Sequence, residues 1–218
     1  MPTTIQQTIT AYQFNELSDK AKDKVRDWFS QDVDLEYVID DFKEDMKALD
    51  IHVEDIQYRL AYSQGDGASW TGSMELIPFL ERLKPEHPLF TRGVVLAELT
   101  RDGWVAEKAQ VSRNGFWYNH SGTMSLDGLG VSSFEGSDTI SHGIMQGASV
   151  SELFDVALGD SGSWDDVHEA LLEEAKSHAD GLYKKLLEAY EWEISDEHIA
   201  ECAEINGWLF DENGVFIN

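Results

Sequence analysis

Residues 56–76 read IQYRLAY, SQGDGAS and WTGSMEL, and this stretch indicates the fold class. In the first and third segments apolar and polar residues alternate, which is the two-residue period of a strand with one buried face. The middle segment, residues 63–69, is rich in the glycine and serine that tight connections use. The stretch therefore predicts two antiparallel strands joined as a β-hairpin.

A second hairpin is predicted around Asn114-Gly115, because this dipeptide favours the type I′ turn that joins antiparallel strands. Its strands would be residues 110–113 and 116–120, and we expect them to join the first pair in one sheet. Residues 127–147 are rich in glycine and serine and predict a long irregular loop, a kind of segment that is often functional or mobile.

Amphipathic helices are predicted on both sides of the strands. Ser18 is a suitable N-cap for a first helix, and apolar residues recur at helical spacing over residues 36–49 for a second. Residues 77–83 predict a short helix. A capping box that begins at Ser149 predicts another, ending near Leu158. We expect these helices to pack against the sheet.

The C-terminal part, residues 163–218, is acidic, and we predict that it is mainly helical. Ser163 caps a long helix that extends to about Tyr190, and a last helix runs from Asp196 to Ile205. The apolar spacing of the long helix predicts a buried stripe at Val167, Leu171, Ala175, Ala179, Leu182, Leu186 and Ala189 or Tyr190. A small hairpin over residues 208–217 ends the chain. Since no linker or repeat divides the sequence, we expect one α+β domain over residues 1–218, with an antiparallel sheet of two or more hairpins packed by amphipathic helices.

The net charge excludes one class of partner. The chain has 42 acidic and 16 basic residues, a formal charge of −26, and residues 151–218 carry 18 of the acidic and 3 of the basic residues. Such a chain repels the phosphate backbone at ordinary salt concentrations, so we expect no direct binding of nucleic acid. A single cysteine, Cys202, and the absence of an apolar leader or spanning segment predict a cytoplasmic protein outside the membrane.

Three segments resemble a family of small acidic accessory proteins that tailed phages and prophages encode, some of which are labelled antitoxin-like. The segments are YQFNELS at 12–18 with Ala21, Lys22 and Trp28, SQGDGA at 63–68, and Ser195-Asp196-Glu197 with Ile199 and NGWLFDENG at 206–214. Gly207-Trp208 departs from the family's usual pair before the last phenylalanine. The resemblance implies a phage gene expressed in the cytoplasm of a bacterial host.

The loop at residues 63–69 is one candidate site. Two glycines beside Asp66 would expose its carboxylate and several backbone N–H groups, which suit a metal ion or a phosphate. If the two hairpins adjoin, His120 could pair with Asp66 as acid and base, and Trp70 would offer an exposed aromatic contact. The alternative is a turn whose glycines serve its geometry and whose Asp66 bonds to the backbone, and the scattered histidines predict neither a metal site nor a cofactor.

The acidic helices are the second candidate site. Asp165, Glu169 and Glu173 recur every four residues, about 6 Å apart along a helix axis. The predicted face comprises these and further carboxylates in the same region: Asp165, Asp166, Glu169, Glu173, Glu174, Glu188, Glu191, Glu197 and Glu201. It would present negative charge as a nucleic acid does, although a solvated helix face that keeps the protein soluble has the same pattern.

These features favour a binding protein over an enzyme. The first hypothesis is a phage accessory protein that inhibits a basic, nucleic-acid-handling host or defence protein, partly by DNA mimicry. A second is an antitoxin-like protein that neutralises a basic toxin. A third, a metal-dependent hydrolase, would use Asp66 and His120. The sequence leaves the oligomeric state open.

Overall fold

The computed structural model describes residues 10–86, 90, 108–115, 118–127 and 164–217, with the backbone alone at 164, 165 and 167. The fold is α+β, as predicted. In chain order its elements are α1 (Asp19–Phe29), α2 (Glu36–Lys47), β1 (Ile51–Arg59), β2 (Gly67–Glu75), α3 (Leu76–Arg82), β3 (Lys108–Arg113), β4 (Met124–Asp127), α4 (Trp164–Glu193) and α5 (Asp196–Asn206). No helix within the described ranges is long and apolar enough to cross a membrane.

Backbone proximity divides the chain into two compact units. The terminal unit comprises Met1–Val38 and Lys185–Asn218, and the central unit comprises Ile39–Lys184. Each unit has buried apolar side chains of its own. The single domain expected over residues 1–218 stays a prediction.

The central unit contains a four-stranded antiparallel sheet in the order β1-β2-β3-β4. The first predicted hairpin is confirmed as β1 and β2, which pair Ile56 with Trp70. Strand β2 is buried along most of its length because it lies between β1 and β3. The indole N–H of Trp70 donates to the carbonyl oxygen of Ala175, 3.0 Å away, so the sheet is bonded to α4 beneath it.

The second predicted hairpin is correct in its first strand and wrong in its second. Strand β3 pairs with β4, Met124–Asp127, and residues 118–120 are not part of a strand. Met124 and Leu126 are both buried, so they supply the alternating apolar face that a strand beside β3 requires. Asn114-Gly115 therefore begins a longer connection, which the Asn114 N–H closes by donating to the carbonyl oxygen of Thr123.

The terminal unit is built around α1 and α5. Ser18 and Ser195 cap these helices, since each hydroxyl accepts the backbone N–H three residues on. Gly207, at φ +66°, ends α5 in the left-handed conformation that favours glycine. A hydrophobic cluster of this unit comprises Phe14, Leu17, Ala21, Val25, Ile199, Ala203 and Phe210.

Phe210 is the centre of the predicted terminal hairpin. It bridges to Phe216 on one side and to Tyr12 on the other, both antiparallel. The small hairpin is therefore present, and the N-terminal segment pairs with it. The predicted helix near Ser149–Leu158 lies outside the described residues, as does the loop at 127–147 apart from Asp127, which ends β4.

Candidate functional site

Helix α4 presents carboxylates on the side opposite its buried stripe. Leu171, Ala175, Ala179 and Leu182 face the core of the central unit, as predicted from their spacing. Residues three or four apart lie on one helix face, and this places a row of exposed carboxylates on the other side. We call this row the α4 face, and its described members are Asp166, Glu169, Glu173 and Asp180.

The α4 face is partly balanced by neighbouring cations. Lys176 lies 2.8 Å from the carboxylate of Glu173, and Lys184 is exposed one turn after Asp180. Beside the face, His178 lies 3.4 Å from Glu174. Glu169 and Asp180, by contrast, have no hydrogen bond or ion pair to another described residue. The α4 face is therefore negative, with Lys176 and Lys184 interrupting it. Among the described residues, Glu169 and Asp180 are the members whose carboxylates have no partner. The side chain of Asp165 lies outside the described part.

Four other members of the predicted acidic face lie in the terminal unit. They are exposed residues of α4 and α5: Glu188, Glu191, Glu197 and Glu201. The continuous acidic face expected from residue 163 to 204 would include residues of both units and stays a prediction. Asp180, absent from the predicted set, lies seven residues beyond Glu173 and so returns to the same helix face two turns farther on.

Asp196 differs from these carboxylates because it is held within the terminal unit. Its carboxylate accepts a 2.7 Å hydrogen bond from Arg26 and lies 3.6 Å from the ammonium of Lys22. The hydrogen bond from Arg26 lowers the pKa of Asp196 most, and the positive charges of Arg26 and Lys22 add to this against the opposing effect of partial burial. This carboxylate joins α5 to α1.

The loop carboxylate Asp66 is also held internally. It accepts hydrogen bonds from the backbone N–H and the hydroxyl of Ser63, at 3.0 and 2.8 Å, and its side chain is only 6% exposed. Partial burial acts to raise the pKa of Asp66, but the hydrogen bonds from Ser63, Tyr62 and Ala61 outweigh it, and the pKa is lowered. The carboxylate closes the turn, as the alternative reading of this loop expected.

His120 lies close to this loop without reaching the carboxylate. A side chain at Gly67 would collide with the backbone and Cβ of His120, so the connection between β3 and β4 packs against the start of β2. Within the described ranges no hydrogen bond or ion pair joins His120 to Asp66. The ring neighbour of His120 is Tyr118, 5.8 Å away between centroids.

Trp70 corrects one expectation. Its side chain is 0% exposed, so the predicted exposed aromatic contact at this position is wrong. Strand β2 lies inside the sheet, and both of its faces are largely covered. Period-two alternation identifies a strand but does not tell how completely its apolar face is covered.

Sequence reasoning missed a histidine cluster in the terminal unit. Nε2 of His198 lies 3.0 Å from the carboxylate of Glu193 and 3.5 Å from Sγ of Cys202. Burial raises the pKa of the Cys202 thiol, and the negative charges of Glu193 and Glu201 raise it further. The thiol is thus protonated at neutral pH, and the cluster lacks the activated sulfur of a cysteine nucleophile.

Within the part of the chain that the structure describes, no three His, Cys, Asp or Glu side chains form a group that could hold a metal ion. A family model described as a domain of unknown function, DUF8835, matches residues 35–196, more than half of the chain. No curated protein and no solved structure matches.

Proposed function

The chain belongs to the DUF8835 family, and from its geometry we propose that it is a binding protein whose α4 face engages a basic, nucleic-acid-binding protein in place of the nucleic acid. The observation that carries the proposal is the row of exposed carboxylates opposite the buried stripe of α4. Such a row attracts a basic groove over a distance and gives rapid association.

The spacing of the α4 face supports the mimicry. Members three or four residues apart lie about 4.5 to 6 Å apart along the helix axis. This is of the same order as the rise of roughly 3.4 Å between successive charges on one DNA strand. A groove lined by lysine and arginine therefore meets anions at this spacing from Asp166 to Glu173, with Asp180 two turns farther on. Among the described residues, Glu169 and Asp180 have no counter-ion that a partner would have to displace.

The internal bonding of the loop supports binding rather than catalysis. A general base must reach the proton that it abstracts, whereas the Asp66 carboxylate is used by Ser63. The resemblance to phage accessory proteins supplies the setting: inhibition of a host or defence protein in a bacterial cytoplasm. The same chemistry would serve an antitoxin that neutralises a basic toxin, and the identity of the captured partner separates the two.

The test is affinity capture from phage-infected bacterial cells with the parent and two charge variants. The first carries Glu169→Lys, Glu173→Lys and Asp180→Lys on the α4 face. The matched control carries Asp40→Lys, Asp41→Lys and Glu54→Lys, which are exposed carboxylates of the central unit outside that face. Both variants change the net charge equally.

The parent and the control should retain a nucleic-acid-binding protein that DNA displaces, and the α4-face variant should not. Equal loss in both variants would show that overall charge, and not this face, drives binding. Capture of a protein that DNA does not displace would contradict the mimicry.

A further inference from the structure

Two segments that are far apart in the sequence line one cleft in the terminal unit. Tyr12 and Phe210 exchange backbone hydrogen bonds of 2.8 and 3.0 Å, and this pairing places residues 13–15 beside the C-terminal end of α5. Between them is a cleft of about 160 Å³. It is lined by Gln13, Phe14, Asn15, Ala200, Ala203, Glu204, Gly207, Trp208 and Leu209.

The lining of this cleft is apolar inside and polar at the rim. Phe14 and Ala203 are buried, and the half-buried Trp208 provides an aromatic wall. Glu204 is the one charged residue of the lining, and within the described ranges it has no hydrogen bond or ion pair through its side chain. Its carboxylate is therefore available at the mouth of the cleft.

The position at a helix end adds to the negative potential. The last turn of an α-helix carries a partial charge of about −0.5 from its carbonyl groups. In α5 these carbonyls face the end where Gly207 terminates the helix. Glu204 lies in the same turn, so helix end and carboxylate both favour a cation, and the indole of Trp208 can accept one on its face.

From these features we propose that the cleft receives an arginine side chain of the protein partner. At about 160 Å³ it is smaller than the roughly 300 to 1,000 Å³ of sites for free small molecules, and it suits a single side chain. A guanidinium group is planar, stacks on aromatic rings and offers several donors, which the Glu204 carboxylate and the side-chain amide oxygens of Gln13 and Asn15 can accept.

This inference deepens the proposed function and rests on it for the basic character of the partner. It does not depend on the α4 face, because the cleft lies wholly in the terminal unit. The residues of the cleft also lie outside the matched family segment, residues 35–196. The cleft thus gives the terminal unit a specific contact of its own for a basic partner.

The test uses a short peptide probe and the full chain. Acetyl-Gly-Arg-Gly-amide is titrated against the ¹⁵N-labelled protein, and the indole N–H of Trp208 and the amide of Gly207 are followed by NMR. Glu204→Gln removes the charge at the cleft, while Glu201→Gln removes an exposed charge of the same helix outside it. The same peptide with citrulline in place of arginine has nearly the same shape but no charge, so it tests whether binding requires the positive charge of the guanidinium group.

The parent and Glu201→Gln should bind the arginine peptide equally. Glu204→Gln should weaken it by at least about tenfold, because a charge-assisted hydrogen bond is lost. The citrulline peptide should bind at least about tenfold more weakly. Equal binding of both peptides, no effect of Glu204→Gln, or no saturable shift at Trp208 would overturn the inference, even if the capture experiment identifies a basic partner. Failed capture with intact peptide binding would instead overturn the proposed function alone.

Discussion

The two candidate sites, the loop around Asp66 and the α4 face, use the same kind of residue in opposite ways. The Asp66 carboxylate bonds to Ser63 within its own turn, and Trp70 in the following strand is fully buried. On the α4 face, Glu169 and Asp180 are exposed and have no partner within the described residues. Side chains of the first kind stabilise the fold, whereas those of the second are available to bind another molecule.

Trp70→Ala should produce the largest effect on folding. It removes a buried ring and the hydrogen bond to the carbonyl oxygen of Ala175, which is left without this donor. Truncation of a buried aromatic residue costs about 3 to 5 kcal/mol of unfolding free energy. Urea unfolding followed by circular dichroism measures the loss, with Glu169→Ala as the control, which should stay within about 0.5 kcal/mol of the parent. A loss below about 1 kcal/mol would mean that the ring is not part of a packed core.

Asp196→Asn should have an intermediate and pH-dependent effect. The carboxylate is half-exposed, so solvent screens its ion pairs and the expected loss is roughly 1 kcal/mol. Because the pKa of Asp196 is lowered in the folded state, the carboxylate contributes stability above its ordinary value of about 3.9. That contribution is lost as the pH falls through the folded value.

Chemical unfolding of the parent and of Asp196→Asn at pH 7 and pH 3 checks this sign. The difference between the two proteins should be present at pH 7 and smaller at pH 3. Glu201→Gln, an exposed residue in the middle of α5, is the control and should unfold as the parent does at both pH values. A difference that grows at pH 3 would contradict the role of the Arg26 pair.

Asp66→Asn should destabilise the turn without affecting partner binding. The lowered pKa of Asp66 again means that its ionised form stabilises the fold above about pH 3.9, and that this stabilisation is lost on acidification. The pH dependence of the unfolding midpoint measures it against Glu54→Gln, an exposed carboxylate of β1. Together with His120→Ala, the change should leave partner binding within a few-fold. Loss of function in a folded double variant would favour the hydrolase hypothesis.

The sequence alone predicted the structure correctly where the interacting residues are close together in the chain. The hydroxyl of Ser18 caps the helix that follows it, as predicted, and the apolar spacing in α4 predicted its buried stripe correctly. The turn role of Asp66 was also within reach, because its partner Ser63 is three residues away. In each case the interaction is made within one turn or one helix.

The sequence was insufficient where distant segments meet. Asn114-Gly115 predicts a tight hairpin, but the buried Met124 and Leu126 supply a better partner strand farther along the chain. The burial of Trp70 depends on α4, about a hundred residues away. The cleft at Glu204 requires residues 13–15 to approach the end of α5, which no periodicity reveals.

The smallest effect on folding is expected for Glu169→Lys, Glu173→Lys and Asp180→Lys together. All three side chains are exposed, and among the described residues only Glu173 has a cation beside it, Lys176, so stability should change by about 0.5 kcal/mol or less per substitution. Partner binding, by contrast, should be strongly reduced, because the three lysines replace attraction by repulsion. Attraction between an acidic face and a basic groove is screened by salt beyond about 8 Å at physiological ionic strength. Once the partner is identified, the association rate of the parent should therefore fall as salt rises, and that of the α4-face variant should be low with little salt dependence.

The control variant with Asp40→Lys, Asp41→Lys and Glu54→Lys should keep most of the parent's salt dependence of association. If the α4-face variant folds and associates as the parent does at every salt concentration, the carboxylates are a solvated helix surface, and the search for a contact moves to the cleft at Glu204.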